Sequence, residues 1–197
     1  MNFNTDFVQR KMDKWSKYII EFDLPTYDSL PSIGLYMDQV ITLLSQYLGY
    51  LPYSEDKKND SFITANAINN YVRLGVMPAP VKKKYYRSHI AYLIIICVLK
   101  PSLSISDISN LIPSNIPEQE LEAMYNRFIK IHKDSSLKII EHLTEISGRP
   151  SSDKDVVELI ITSAVTTSLT KRFTEKTSAL QGIADEEAER ILRAKAK

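Results

Sequence analysis

The sequence predicts a mainly all-α protein with one small two-stranded ribbon near its middle. Three observations lead there. Apolar residues recur three, four, seven and eight positions apart in segment after segment, the period of an amphipathic helix. All nine prolines fall between those segments rather than inside them, where they would break a helix. Only residues 76–87 combine two prolines, a lysine run and adjacent tyrosines, a pattern suited to a tight ribbon rather than a helix.

The elements follow in order. Residues 6–22 place Phe7, Val8, Met12, Trp15, Ile19 and Ile20 close to a 3.6 period, so they form a helix. Pro25 and Pro31 make residues 24–34 a connector. A second helix over 35–51 carries Val40, Leu43, Leu44 and Leu48 on one broad stripe. The polar, aperiodic residues 52–61 read as a loop. Thr64 caps a short helix over 65–74, and Gly75 supplies the left-handed residue that ends it. In the ribbon, Val76–Met77 pairs with residues 84–86, and 79–83 forms the tip. Helix returns near Ser88 and stops before Pro101. Ser104 or Ser106 caps a short helix that Pro113 ends. The C-terminal third holds two longer helices separated by Gly148–Pro150; Pro117 sits in the first turn of one and Asp153 opens the other. Residues 156–169 are apolar on most sides, as in a central buried helix. The charged tail, 185–197, is expected to fray. Three regions result: an N-terminal helix (1–23), a middle domain (24–113) and a C-terminal helical region (114–197).

Charge is unevenly spread. A net charge of +1 hides a window, residues 61–106, with six basic side chains and no Asp or Glu. Residues 1–60 carry nine acidic and six basic groups, and residues 107–197 carry fifteen and thirteen. A basic centre between mildly acidic flanks is the footprint of a surface that meets a polyanion. Part of the window, residues 90–99, is acid-free simply because it is core; Lys82–Lys84 is not explained that way.

Other classes are disfavoured. One cysteine, Cys97, permits no internal disulfide and no multi-cysteine zinc site. His89, His132 and His142 show no short metal-ligand spacing, and no Gly-rich phosphate loop or G-x-S-x-G elbow is present. The three histidines are expected at the surface or at an interface. Neither an enzyme nor a cofactor is expected. Residues 1–17 are polar and charged, unlike a secretory signal, and the longest apolar run, ten residues, is half the length that crosses a bilayer. No membrane partner is expected, and the expected location is cytoplasmic.

The stretches INNYVRLGVMPAP (68–80), KKKYYRSHIAYLIII (82–96) and SISDISNLI (104–112) resemble the winged helix-turn-helix of the MerR family of bacterial regulators. Tyr71, Arg73, Gly75 and Tyr85 fall on that family's pattern, with Ile68, Leu74, Ile90, Leu93 and Ile96 at its apolar positions. With LPTYDSLPSIGLYMDQV (24–40) ahead of them, residues 24–112 also look like a bacterial family catalogued as a domain of unknown function. The first resemblance implies a recognition helix over 65–74 and a basic wing over 78–87. It departs from the pattern at Asn69-Asn70, where Arg-Tyr is usual, at the long loop 52–62, and at Tyr86, which replaces a capping Ser. No metal or drug ligand set carries over.

That reading makes the protein a DNA-binding transcriptional regulator. Asn66, Asn69, Asn70 and Arg73 share one helical face, and Asn can pair with both adenine N6 and N7 in the major groove. The ordinary alternative is an exposed face of a short helix, although Asn costs about 0.5 kcal/mol against Ala in such a position. Lys82, Lys83, Lys84, Tyr86 and Arg87 would meet phosphates, where the plain alternative is a solvated turn. Tyr85 and Tyr86 alternate, so one packs inward and one outward. The two C-terminal helices are expected to form a homodimer contact or to sense an effector. The competing function is a non-catalytic protein–protein interaction module on the same scaffold.

Overall fold

A computed structural model of the chain describes residues 2–49, 63–148 and 150–183. The loop expected over 52–61 and the tail over 185–197 lie outside these residues. Seven α-helices make up the described fold: α1 (Thr5–Glu21), α2 (Met37–Tyr47), α3 (Ala65–Arg73), α4 (Arg87–Leu99), α5 (Ile105–Leu111), α6 (Glu118–Ser147) and α7 (Asp153–Ser178). A single 3-10 turn, Tyr27–Ser29, interrupts the connector between α1 and α2.

Local chemistry sets most boundaries. The Asn4 side chain accepts from the Phe7 amide, and Thr64 accepts from Ala67. Ser104 pairs reciprocally with Asp107, as Ser152 does with Asp155, so two orphan amides are satisfied at each of these helix starts. Gly75 ends α3 at φ +70, where an added Cβ would meet nothing; its backbone conformation alone asks for glycine.

The core is built around α4. Its residues from His89 to Cys97 are all buried, and α2, α5 and α6 pack against it. A helix apolar on every side is stable only when surrounded. The connector contributes Leu24, Tyr27 and Leu30 to this core, and α6 contributes Leu121 and Tyr125. The Tyr27 hydroxyl donates to Glu118 Oε1, Asn126 Oδ1 accepts from the Tyr27 amide, and the Tyr125 hydroxyl donates to the Pro25 carbonyl. The first three turns of α6 therefore belong physically to the same packed unit as α2–α5.

Three expectations are corrected. The central buried helix is α4, not the 156–169 stretch: in α7 only Val156 is buried, and Ile161, Val165, Leu169 and Phe173 are each at least half exposed. The helix packs on α6 and α1, and these four side chains stay exposed. Secondly, Val76–Met77 forms no ribbon with residues 84–86. Both residues are buried in the core, Tyr85 pairs instead with Leu35 through two hydrogen bonds of 2.8 Å, and Val81 pairs with Lys84. These are isolated bridges, and no strand forms among the described residues. The Val76 amide turns back to the Tyr71 carbonyl at the end of α3, so it is not free for the expected ladder. Thirdly, His89 is buried rather than at the surface.

Outside the core, α6 and α7 form an antiparallel hairpin on which α1 rests. Lys133 of α6 holds the end of α1, donating to the Ile20 and Phe22 carbonyls and pairing with Asp23 at 2.8 Å.

A candidate nucleic-acid interface

Helix α3 sorts its residues cleanly. Ile68 and Tyr71 are buried, while Asn66, Asn69 and Arg73 are exposed and Asn70 is half-buried beside them. At about 100° per residue these four polar side chains fall within an arc of about 100°. The Arg73 guanidinium donates to Asn70 Oδ1 at 2.7 Å, so this pair is held ready along the helix edge. The face expected from the sequence is thus intact and carries no apolar residue.

Beyond Pro78 and Pro80 the chain makes a two-residue hairpin turn. Val81 and Lys84 exchange both backbone hydrogen bonds at 3.0 Å, and Lys82 and Lys83 occupy the two positions between them at φ +50 and +64. That geometry is the mirror-image turn that favours Asn-Gly. Here both positions are lysine, and both side chains are exposed.

The remaining basic and aromatic residues also make contacts within the fold. The Lys84 ammonium lies 5.4 Å from the Tyr36 ring centroid. Arg87, assigned by sequence to the same surface, donates to the Leu30 and Asp28 carbonyls, pairs with the Asp28 carboxylate at 3.5 Å and stacks over Tyr27. It clamps the connector to the start of α4. Tyr85 points inward, as the alternation required, with its hydroxyl pKa raised by burial, and Tyr86 points outward. The Tyr86 ring closes over Gly34, where an added Cβ would stand 2.9 Å from it and 3.0 Å from Lys84.

His89 organises this region, and no sequence signal marked it. Its Nδ1 accepts from the Tyr86 amide at 3.0 Å, which leaves Nε2 to donate to the Ala79 carbonyl at 3.1 Å. One imidazole therefore caps α4 and ties down the base of the lysine turn, with Tyr85 edge-on against it. The only hint in the sequence is a histidine three residues after the cap position, a place usually held by Glu or Gln.

Elsewhere the chemistry is quiet. Burial pushes the Cys97 thiol up to about 12, which keeps it a neutral, unreactive core group. Among the described residues no three His, Cys, Asp or Glu side chains come together as a metal site, and no helix is long and apolar enough to cross a membrane.

Comparison with known proteins adds one finding. Neither the curated proteins nor the solved structures include a match to this chain. Residues 25–128 match the family described as "Domain of unknown function (DUF1836)". This span runs from the connector through the first three turns of α6, the same unit that packs around α4, and it is more than half of the chain. The protein belongs to the DUF1836 family.

Proposed function

We propose that the protein is a DNA-binding regulator on a winged-helix-like scaffold, with α3 in the major groove and the Lys82–Lys83 turn on the phosphate backbone. One observation carries the reading: two exposed lysines hold both positive-φ positions of a tight turn. Left-handed backbone costs about 1–2 kcal/mol per non-glycine residue. Strain of this kind persists where a function uses the side chain it displays. Asn-Gly would relax the turn but would remove two cations from its tip.

Helix α3 supports the same reading. Asn66 and Asn69 are exposed and suited to adenine, and the N–H groups of Arg73 not engaged by Asn70 are suited to guanine or phosphate. The Tyr86 hydroxyl completes the phosphate side. Lys84 and Arg87 hold the turn and the connector in place rather than touching DNA.

The experiment is fluorescence anisotropy of the protein with random-sequence duplex at about 50 and 200 mM salt. Binding that weakens at least tenfold across that range corresponds to about two or more phosphate contacts. The double variant Lys82→Glu with Lys83→Glu is expected to abolish binding without lowering the thermal midpoint. Salt-sensitive binding that survives this double variant would overturn the assignment of the turn. No binding at low salt would overturn the function, and the basic surface would then be tested against acidic protein partners.

A further inference from the structure

His89 stands in the first turn of α4 and is only 5% exposed. Its ring bonds to no side chain; both nitrogens meet backbone. Nδ1 accepts from the Tyr86 amide, a bond that exists only while that nitrogen carries no proton. Nε2 keeps the single ring proton and donates it to the Ala79 carbonyl. The two bonds fasten both ends of the 79–86 segment, which carries the Lys82–Lys83 turn, to one side chain. The groups around the ring offer nothing to hold a positive charge on it. Tyr85 and Tyr86 place their ring centroids 5.7 and 6.3 Å from the imidazole. Arg87 is committed to Asp28 and the connector, and Lys84 lies over Tyr36. Lys82, Lys83, Asp38 of α2 and Arg73 of α3 are exposed. Glu118 of α6 and Asp107 of α5 accept from Tyr27 and Ser104. A cation in this turn would also oppose the positive end of the α4 dipole.

We infer that His89 is a proton-operated latch on the lysine turn. Neutral, it holds the turn against the start of α4. Charged, it sets a second ring N–H against the Tyr86 N–H, so that bond breaks and the turn is released. Only the start of α4 is affected, because the helix from Ile90 to Cys97 is held by burial. Imidazoles as a class change charge between about pH 5 and 8, which sets the range to test. The latch itself stands on the ring geometry, and its effect on DNA rests on the function proposed above. Acid then weakens duplex binding by lowering the population in which the turn is in place. The direction is diagnostic. Three histidines gaining charge would by themselves strengthen attraction to a polyanion.

The test is an NMR titration of the full-length chain from about pH 8 to 5, following the His89 ring nitrogens and the protection of the Tyr86 amide from exchange. As the ring takes up its proton, Tyr86 protection is expected to fall about tenfold or more, while the Ile94 amide stays protected. Duplex affinity, read by anisotropy over the same range, should fall about fivefold or more. His89→Gln keeps an acceptor for the Tyr86 amide, as a capping-box residue does, but takes up no proton. In that variant neither Tyr86 protection nor duplex affinity should fall with acid. A ring that stays neutral down to about pH 5 would overturn the latch. So would a charged ring beside a Tyr86 amide that is still protected, or a His89→Gln variant that opens in acid as wild type does. Unchanged duplex affinity while Tyr86 opens would overturn the link to DNA. Absence of duplex binding at every pH would overturn the proposed function, and the ring and amide would still decide the latch.

Discussion

Helices α4 and α7 are both rich in apolar residues, yet one is the centre of the molecule and the other lies at its edge. In α4, His89 to Cys97 are buried without a break, because α2, α5 and α6 surround it. In α7, which packs on α6 and α1, Val156 alone is buried. Apolar composition therefore states that a helix needs cover, not that its own chain supplies it. The neighbours decide, and in α7 Val156 and Leu159 take the intramolecular contact while Ile161, Val165, Leu169 and Phe173 are left exposed.

The largest test of this contrast is a pair of truncations. Leu93→Ala in α4 removes a side chain with no exposure and should cost about 2–5 kcal/mol in urea unfolding. Leu169→Ala, measured in dilute solution, should change stability by less than about 0.5 kcal/mol. Equal costs at the two sites would mean that α7 is covered within the monomer, and the contrast would fail.

Next is Arg87 against the lysines four and five positions before it. Arg87→Ala frees two backbone carbonyls and the Asp28 carboxylate, and should destabilise the fold by about 1–3 kcal/mol while leaving duplex affinity per folded molecule unchanged. If it weakens duplex binding as strongly as Lys82→Glu, Arg87 belongs to the contact surface and not to the clamp.

The turn itself should respond in the opposite direction. Lys82→Asn with Lys83→Gly installs the unstrained residues for this geometry and should raise stability by about 1–2 kcal/mol. The same variant should lower duplex affinity and flatten its salt dependence. A variant that is less stable than wild type would show that the lysines are not strained there.

The smallest effect is that of acid. Hydrogen bonds from Ser104 and Ser178 hold the Asp107 carboxyl below its ordinary range, and those from Ser151 and Ser152 do the same for Asp155. Groups whose folded-state pKa is depressed contribute stability above the ordinary carboxylate range and lose it as pH falls through the lowered value. Both ends of α7 depend on these two residues: Asp155 caps its start, and Asp107 accepts from Ser178 at its finish. Helicity of α7 should fray below about pH 4 while α4 persists. His132, whose pKa is lowered mainly by burial and secondarily by Lys133, adds a loss of stability as pH drops below about 6.5. Amide exchange resolved by helix would read both effects, and simultaneous loss of α4 and α7 would contradict the division.

What was legible in the sequence was whatever depends on near neighbours. Thr64 as a cap, Gly75 as a left-handed terminator and the polar arc of α3 all follow from spacing and side-chain chemistry within one or two turns. The proline positions likewise delimit every helix that was expected. The loss of the ribbon was not legible, because Tyr85 takes as its partner Leu35, fifty positions away, while the Val76 amide returns to the Tyr71 carbonyl. His89 as the tie between α4 and Ala79, and Arg87 as a clamp across to Asp28 and Leu30, were not legible. Their partners lie ten and more than fifty residues away, and nothing local distinguishes a histidine that faces a carbonyl from one that faces water.

The sequence by itself determined which segments become helices and which side chains share a face, because hydrogen bonds and periodicity act over three or four residues; the second helix nevertheless starts at Met37 rather than at Leu35, which pairs with Tyr85 instead. The tertiary structure alone decided which apolar face is buried and which basic residue is spent on holding the fold. Those outcomes depend on which surfaces meet across the chain, and burial free energy rewards any apolar contact without naming its partner.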